Sequence, residues 1–211
     1  VFTALYQNYP FEEALDRAVA AGVSAVEIGT GGYPGSQHCP VDELLESEAK
    51  RKAYMEAITS RGLIISAFSC HNNPLHPNKA IAKEADETLH KSVRLAKLLD
   101  VPVVNTFSGC PAGTPQDTMP NWITCPWPPH FLEMLDYQWN QVALLRIREA
   151  VGPAIGCNFD PSHLFWNGVD PVAAIRKLGE AIYHVHGKDV YVDQINISVN
   201  GCNDNKPYTR I

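Results

Sequence analysis

The sequence predicts an α/β protein in which helices wrap a parallel sheet, and two observations carry this prediction. Short apolar segments rich in β-branched residues alternate with segments whose apolar residues recur at the helical period. This repeated unit of strand and helix is typical of a parallel sheet covered by helices. The length of 211 residues and the hydrophobic content of 45% suffice for one sizeable core, so we expect a single domain over residues 1–211.

Six strands and the helices between them are predicted along the chain. Three units are expected first: a strand over 1–5 with a helix over 11–21, a strand over 25–29 with a helix over 42–60, and a strand over 63–69 with a helix over 79–99. Then follow a strand over 101–107, a proline-rich stretch over 110–129, a helical run over 131–151, a strand over 155–159, a helix over 171–178 and a strand over 181–185. The tail over 193–211 is predicted to contain no regular element.

The alternation breaks after the fourth strand, because no strand interrupts the helical run over 131–151. The chain therefore fits two architectures, an open doubly wound sheet or a closed eight-stranded barrel whose fifth and eighth strands are missing from the sequence. The proline-rich stretch contains Trp127 and is expected to form a lid or binding wall, with packing over a helix as the alternative.

The composition narrows the classes of function. The formal net charge of −6 and the pI near 5.7 argue against nucleic acid as a partner and favour a small polar substrate, since a phosphate-tracking surface needs a dominant basic face. Six cysteines without a Cys-x-x-Cys pair indicate free thiols in a reducing cytoplasm. The sequence shows neither an apolar run of about 18 residues nor a signal-like start, so we expect a cytoplasmic protein without a membrane partner.

Metal-ligand chemistry is concentrated at the ends of two predicted strands, 155–159 and 181–185. The side chains concerned are Asp160, His163, His184, His186 and Lys188. Groups at the carboxyl ends of parallel strands face the ligand crevice, and carboxylate with imidazole suits Mn²⁺, Co²⁺, Zn²⁺ or Fe²⁺ better than Ca²⁺. The alternative is structural: Asp160 caps a helix that begins at Pro161, and the histidines only bond the backbone.

Five motifs read together resemble one known family. They are residues 10–15 (PFEEAL), 25–33 (AVEIGTGGY), 69–76 (SCHNNPLH), 158–163 (NFDPSH) and 184–189 (HVHGKD). With them the chain looks like the sugar phosphate isomerase/epimerase family, which is related to the ketose 3-epimerases. The resemblance covers essentially the whole chain and implies the xylose isomerase-like TIM barrel, a (β/α)8 fold, in preference to the open sheet.

The resemblance also implies roles for single residues. Asp160 matches the metal ligand of the sixth strand in this family, and His186 matches that of the seventh. The resemblance also adds Mg²⁺ to the candidate ions. His163 matches a histidine that contacts the substrate in epimerases and binds an additional metal in the endonuclease branch. His184 is expected to support its neighbour His186 by orienting it.

Two glutamates that complete the metal site in this family, one at the fifth strand and one at the eighth, have no counterpart here. No glutamate follows an apolar strand between residues 131 and 155, and none follows Asp189. In the epimerases these carboxylates also act as the acid and the base. Because a closed barrel needs both strands as well, we expect residues to be missing near 141–145 and after 211.

The function that the resemblance implies is a divalent-metal-dependent isomerase or epimerase of a sugar or sugar phosphate. The metal would ease removal of the proton next to a carbonyl through an enediolate. The residues expected to contact the substrate are Glu27, His71, Trp127, His163 and Lys188, with His163 as the catalytic candidate. Glu27 has the alternative of bonding neighbouring strands, and Lys188 that of a surface cation or a partner of Asp189.

Three other functions stay open. They are a lyase acting on an oxidised sugar or glycoside by the same proton removal, an abasic-site endonuclease-like hydrolase, and a sugar-binding protein with an incomplete site. The acidic balance disfavours the hydrolase, because a DNA groove needs basic residues. The sequence leaves open the sugar, its phosphorylation, the native metal and whether the chain forms a homo-oligomer.

Overall fold

The computed structural model describes residues 1–125, 127–143, 154–201 and 209–210. The chain divides into two compact units, Val1–Ala150 and Val151–Ile211. The expectation of one domain over residues 1–211 stays a prediction. No helix in the described part of the chain is both long enough and apolar enough to cross a membrane.

The first unit contains a parallel sheet with helices that follow its strands. A 3-10 helix, Thr3–Tyr6, begins the unit. Its further elements are α1 (Phe11–Ala20), β1 (Ala25–Gly32), α2 (Val41–Glu46), α3 (Glu48–Thr59), β2 (Ile64–His71), α4 (Lys79–Leu99), β3 (Val104–Thr106), α5 (His130–Asp136) and a π-helix (Tyr137–Ala143).

The sheet has the strand order β1, β2, β3, with both pairs parallel. Phe68 in the middle strand pairs with Ile28 on one side and with Val104 on the other. Leu15 of α1 and Leu95 of α4 join these strands in one buried apolar cluster. The unit is therefore held mainly by apolar side chains that the helical and strand periods bring to one side of each element.

Helix capping explains where the helices of this unit begin and end. The side chain of Asn78 accepts a hydrogen bond from the backbone N–H of Ala80 at 3.0 Å, and α4 ends before Asp100, which has a left-handed φ of 59°. The predicted helix over 79–99 is confirmed in full. The helix predicted over 42–60 is instead divided, because Ser47 is extended and caps α3 by accepting from Lys50 N at 3.3 Å.

The strand predicted over 1–5 is wrong for most of its length. Phe2 forms a single parallel bridge with Glu27, and the chain then turns into the 3-10 helix. The strand predicted over 101–107 is shorter than expected and covers only β3. The helical run predicted over 131–151 is confirmed over the described residues 131–143, and its remainder lies outside the described residues.

The proline-rich stretch is anchored by one fully buried side chain, Gln138 of the π-helix. Its Nε2 donates to the carbonyl oxygens of Ala112 (3.1 Å) and Asn121 (2.7 Å), and its Oε1 accepts from the backbone N–H of Ile123 (3.1 Å). The ring of Trp122 also stacks on Trp139 at a centroid distance of 5.2 Å. The stretch thus packs over a helix, which is the alternative that the sequence allowed.

The second unit contains two short pairs of strands. Its elements are β4 (Cys157–Phe159), α6 (Ser162–Phe165), α7 (Pro171–Leu178), a 3-10 helix (Gly179–Ala181), β5 (Ile182–Val185), β6 (Tyr191–Val192), α8 (Gln194–Asn200) and β7 (Thr209–Arg210). β4 and β5 are parallel, and β6 and β7 are antiparallel. The helix predicted over 171–178 is confirmed, with Asp170 as its cap and Pro171 in its first turn.

The tail predicted without regular structure contains α8, so that prediction is wrong. Asp193 accepts a hydrogen bond from the backbone N–H of Asn196 at 2.9 Å and begins the helix. This Asx cap is the sequence signal for the helix, because an aspartate is preferred immediately before a helix start.

The fold class is a mixture of helices and mainly parallel strands, as predicted. The described strands form one sheet of three strands and two sheets of two strands. A complete eight-stranded barrel is therefore not seen in the part of the chain that the structure describes. Of the residues near 141–145, where an omission is expected, 144 and 145 lie outside the described residues.

Candidate functional site

The register of β4 and β5 brings two functional segments to the same strand ends. Asn158 pairs with His184 and Phe159 with Val185 in the parallel pair. The backbone N–H of His186 then donates to the carbonyl oxygen of Phe159 at 3.0 Å. Asp160 and His186 therefore follow their strands side by side, at the edge of a parallel pair where ligands are usually bound.

The carboxylate of Asp160 lies at the centre of this site. Its Oδ2 is 3.2 Å from Lys188 Nζ, 3.5 Å from His163 Nε2 and 3.7 Å from His186 Nδ1. The Asp160 side chain is 12% exposed, whereas that of His163 is 58% exposed. A largely buried carboxylate is thus surrounded by nitrogen atoms, two of them on imidazole rings.

The two oxygens of Asp160 have different partners. Oδ1 accepts hydrogen bonds from the backbone N–H of Ser162 (3.1 Å) and from its hydroxyl (2.6 Å), just where α6 begins. Oδ2 faces the imidazole and ammonium groups. The sequence allowed a helix cap at Asp160 as the alternative to a ligand role. The structure has these hydrogen bonds at the start of α6, but they use only one of the two carboxylate oxygens.

The pKa of Asp160 reflects opposing effects. Partial burial raises this pKa, but the hydrogen bond from Ser162 and the ammonium charge of Lys188 lower it by more, so it lies below the ordinary carboxyl value. The carboxylate is consequently held in its charged form, which is the form that binds a metal ion.

Asn158 is a site residue that the sequence reasoning missed. Its Oδ1 lies 3.2 Å from His184 Nδ1, and its Nδ2 lies 3.3 Å from His186 Nδ1. The two imidazole rings are perpendicular with centroids 5.4 Å apart. A signal was present, because Asn158 stands two residues before Asp160 and alternate strand residues share a face.

His184 has the supporting position that the sequence reasoning expected, since Asn158 links it to His186. The role itself stays a prediction. A ring nitrogen of His184 and one of His186 also lie within 4.8 Å of each other.

Lys188 has a different partner from the one proposed as its alternative. Its Nζ contacts Asp160 and also lies 3.4 Å from His163 Nε2. Asp189 instead accepts from the backbone N–H of Val190 at 2.8 Å. The pairing of Lys188 with Asp189 was therefore wrong, because the side chain turns toward the buried carboxylate.

The first unit contains the remaining candidates, Glu27, His71 and Trp127. Glu27 is buried in β1 and accepts hydrogen bonds from the hydroxyl of Ser69 on β2 and from Asn105 Nδ2 on β3, the latter at 2.9 Å. This is the strand-bonding arrangement that the sequence allowed for Glu27.

His71 and Trp127 occupy different environments in that unit. His71 ends β2, is buried, and lies against Phe107 with a ring centroid distance of 4.6 Å. Trp127 is 73% exposed in the proline-rich stretch. A substrate contact for either residue stays a prediction.

The donor set of the second unit fits a divalent ion. Two ligands that each lie about 2.1 Å from a tetrahedral ion are about 3.4 Å apart. The separation of 3.7 Å from Asp160 Oδ2 to His186 Nδ1 is close to this value. A carboxylate and an imidazole form a borderline-hard pair suited to Zn²⁺, Mn²⁺, Co²⁺ or Fe²⁺.

The sequence has an extensive relative in Bacillus subtilis. The chain is 39% identical to the "Uncharacterized protein YfiH" of Bacillus subtilis (strain 168), and the match covers 96% of this chain and 76% of the relative. It extends over 238 residues, which exceeds the 211 residues of this chain. The relative therefore contains residues inside the matched region that have no counterpart here. No family model matches the chain.

A solved structure resembles the chain in fold. The crystal structure of a xylose isomerase domain protein from Planctomyces limnophilus matches with a TM-score of 0.52 and 15% identity, covering 83% of this chain and 68% of that chain. At 15% identity the match supports a similarity of fold and nothing further. The mixed α/β structure thus has a xylose isomerase-like neighbour. This agrees with the general fold class predicted from the sequence, although not with a complete barrel in the described residues.

Proposed function

We propose a function for this chain from the premise that it belongs to the same family as the YfiH protein of Bacillus subtilis. The chain acts as a divalent-metal-dependent isomerase or epimerase of a sugar, by removal of a proton next to a carbonyl. The observation that carries this proposal is the convergence of His163, His186 and Lys188 on one oxygen of Asp160. The xylose isomerase-like fold of the solved neighbour agrees with it.

Asp160 and His186 are the residues that would hold the ion. They directly follow paired parallel strands, and their separation suits two ligands of one ion. Bound there, a divalent ion supplies Lewis acidity, which favours negative charge on the oxygens of a carbonyl and its neighbouring hydroxyl. Asn158 Nδ2 lies 3.3 Å from the same Nδ1 of His186 that faces Asp160, so the amide would release this nitrogen when the ion binds.

His163 and Lys188 would act on the substrate. Both side chains are more exposed than that of Asp160, so a sugar can reach them while the carboxylate remains covered. His163 Nε2 would donate a hydrogen bond to a sugar hydroxyl. The Lys188 ammonium would stabilise the negative charge that develops when the proton leaves.

The proton itself would be moved by two glutamates, as the family resemblance implies. Neither has a counterpart at the matching positions of this sequence. The additional residues that YfiH contains within the matched region make that protein the natural comparison, because any acid or base contributed there would be present in it.

The test measures metal binding and proton exchange separately. Metal-free protein is titrated with Mn²⁺, Co²⁺ and Zn²⁺ by calorimetry, and a panel of ketoses is then incubated with the loaded protein in D₂O and followed by proton NMR. We expect one ion per chain and slow incorporation of deuterium at the carbon next to the carbonyl, whatever the final product, with faster incorporation by YfiH, because the two glutamates have no counterpart in this chain. A bound ion without exchange on any sugar would instead favour a binding protein, and failure to bind any ion would refute the site.

A pair of substitutions separates the ligand role of Asp160 from its role at the helix start. Asp160→Asn retains an oxygen that can accept from Ser162 but removes the charge, so we expect metal affinity to fall by about 100-fold or more. Asp170→Asn is the matched control, because Asp170 caps α7 in the same unit and contacts its own helix at Val172. YfiH assayed beside this chain shows whether the absent segments are needed for exchange.

A further inference from the structure

The first unit contains a group of three aromatic rings at the carboxyl ends of its parallel strands. Tyr33 follows β1, His71 ends β2 and Phe107 follows β3. The ring centroids of His71 and Phe107 are 4.6 Å apart, and those of Tyr33 and Phe107 are 6.1 Å apart. We propose that this group, called here the aromatic platform, binds the carbon-hydrogen face of an unphosphorylated sugar.

The platform is unusually accessible for a group of aromatic side chains. Tyr33 is 85% exposed and Phe107 is 48% exposed, while His71 is buried. Exposed apolar surface at the carboxyl edge of a parallel sheet lies where α/β proteins bind their ligands. The position and the exposure therefore both indicate a binding surface.

Hydrogen bonds of the backbone hold two of the rings in place. The backbone N–H of Tyr33 donates to the carbonyl oxygen of His71 at 3.1 Å, which ties the end of β1 to the end of β2. This close approach requires Gly32, whose φ is 71° and whose place a side chain could not take without colliding with that same carbonyl oxygen.

The segment that carries Phe107 is fixed by Asn73 of the preceding loop. Asn73 Nδ2 donates to the carbonyl oxygen of Cys110 at 2.9 Å, and Asn73 Oδ1 accepts from the backbone N–H of Cys110 at 2.8 Å. A loop held by two such bonds is ordered before a ligand arrives. The platform would therefore bind without a large entropic cost of ordering its loops.

The chemistry of the surrounding loops decides between a sugar and a sugar phosphate. The loops after the three strands, residues 33–40, 72–78 and 107–129, contain no Lys or Arg and one charged residue, Asp117, but they do contain asparagine, glutamine, serine and threonine. A phosphate group is normally bound by arginine, lysine or backbone amides at a helix start, whereas a sugar needs neutral hydrogen-bonding groups beside an aromatic face. The loops fit the neutral ligand.

This inference rests on the proposed function for the kind of ligand, and it names the class of sugar. Binding is measured directly, by saturation-transfer NMR and calorimetry, for matched pairs of a ketose and its phosphate ester. The variants are Tyr33→Ala and Phe107→Ala, with Tyr33→Phe and Phe107→Tyr as controls that keep the ring. We expect the alanine variants to weaken binding of the free sugar roughly five- to tenfold and the controls to retain it.

The outcomes separate this inference from the proposed function. Tighter binding of the phosphate esters, unchanged affinity in both alanine variants, or no binding of any free sugar would each overturn the aromatic platform. If the alanine variants lose sugar binding but no deuterium exchange occurs with any sugar, the platform stands and the isomerase proposal fails. If exchange occurs and both alanine variants keep normal affinity and exchange, the isomerase proposal stands and the platform fails. Circular dichroism of each variant shows that the fold is kept.

Discussion

The ammonium group of Lys188 lies 3.2 Å from Oδ2 of Asp160, the oxygen that does not take part in starting α6. The cation contributes to keeping this largely buried carboxylate ionised. It also lies where a divalent ion bound to Asp160 would meet a second positive charge. The contact between Lys188 and Asp160 therefore affects the ionisation of the carboxylate, the affinity of the site for a metal ion and the proposed reaction.

Removal of the Lys188 charge should strengthen metal binding and weaken turnover. In Lys188→Met no ammonium group opposes the charge of the ion, so we expect affinity for Mn²⁺ or Zn²⁺ to rise roughly tenfold by calorimetry. Deuterium exchange should fall, because the charge that develops on the substrate loses its partner. Lys177→Met, an exposed lysine of α7, is the control. Unchanged affinity and exchange in Lys188→Met would make Lys188 only a surface cation.

The lowered pKa of Asp160 predicts how stability depends on acidity. A carboxyl whose pKa is lower in the folded protein stabilises the fold above its unfolded pKa of about 3.9, and this contribution is lost as the pH falls through the lower folded value. The metal-free protein should therefore exceed Asp160→Asn in stability near neutral pH, and the difference should vanish in acid. Urea unfolding from pH about 6 to about 2 measures it, because the loss continues below the folded pKa. A difference that grows on acidification would contradict the assignment.

Substitution of His163 should affect turnover more than metal binding. His163→Ala removes an imidazole whose side chain is 58% exposed and whose Nε2 lies 3.5 Å from Asp160 Oδ2. We expect exchange to fall roughly tenfold or more, as for the loss of one hydrogen bond to a charged group, with metal affinity nearly retained. His90→Ala, an exposed histidine of α4, serves as the control. Equal loss of metal and turnover would show that His163 is a ligand.

The hydrogen bonds of Gln138 should anchor the proline-rich stretch, and this role can be tested without a substrate. Gln138→Leu leaves the backbone partners at Ala112, Asn121 and Ile123 without their buried hydrogen bonds, which should cost roughly 1–3 kcal/mol of the free energy of unfolding. Limited proteolysis within residues 112–125 should become faster. Gln141→Leu, an exposed glutamine of the same π-helix, provides the comparison. Similar effects of both substitutions would show that Gln138 does not anchor the proline-rich stretch.

The helices and strands with strong local signals could be predicted from the sequence. Asn78 and Asp170 cap helices that begin where expected, because capping depends on a few neighbouring residues. Residues 1–5 have the β-branched and apolar character of a strand, but only Phe2 makes a bridge to β1. A strand exists through its pairing, and the sequence does not state which partners are present.

The candidate site was predictable in part for the same reason. Asp160 and His186 follow recognisable strands, and parallel strands end at one edge, so their proximity follows from the topology. The partner of Lys188 was not predictable, since a side chain with four rotatable bonds reaches groups far from it in sequence. Asn158 carried only the weak signal of an amide within an apolar strand.

By itself the sequence determined the class of structure and the residue types that meet at the strand ends, because periodicity and order along the chain dictate both. Only the tertiary structure decided that one oxygen of Asp160 begins α6 while the other faces His163, His186 and Lys188. It also brought Tyr33, His71 and Phe107 together at the ends of three strands. The physical reason is that hydrogen-bond direction and ring contact depend on distances between residues far apart in the chain, which the order of residues does not contain.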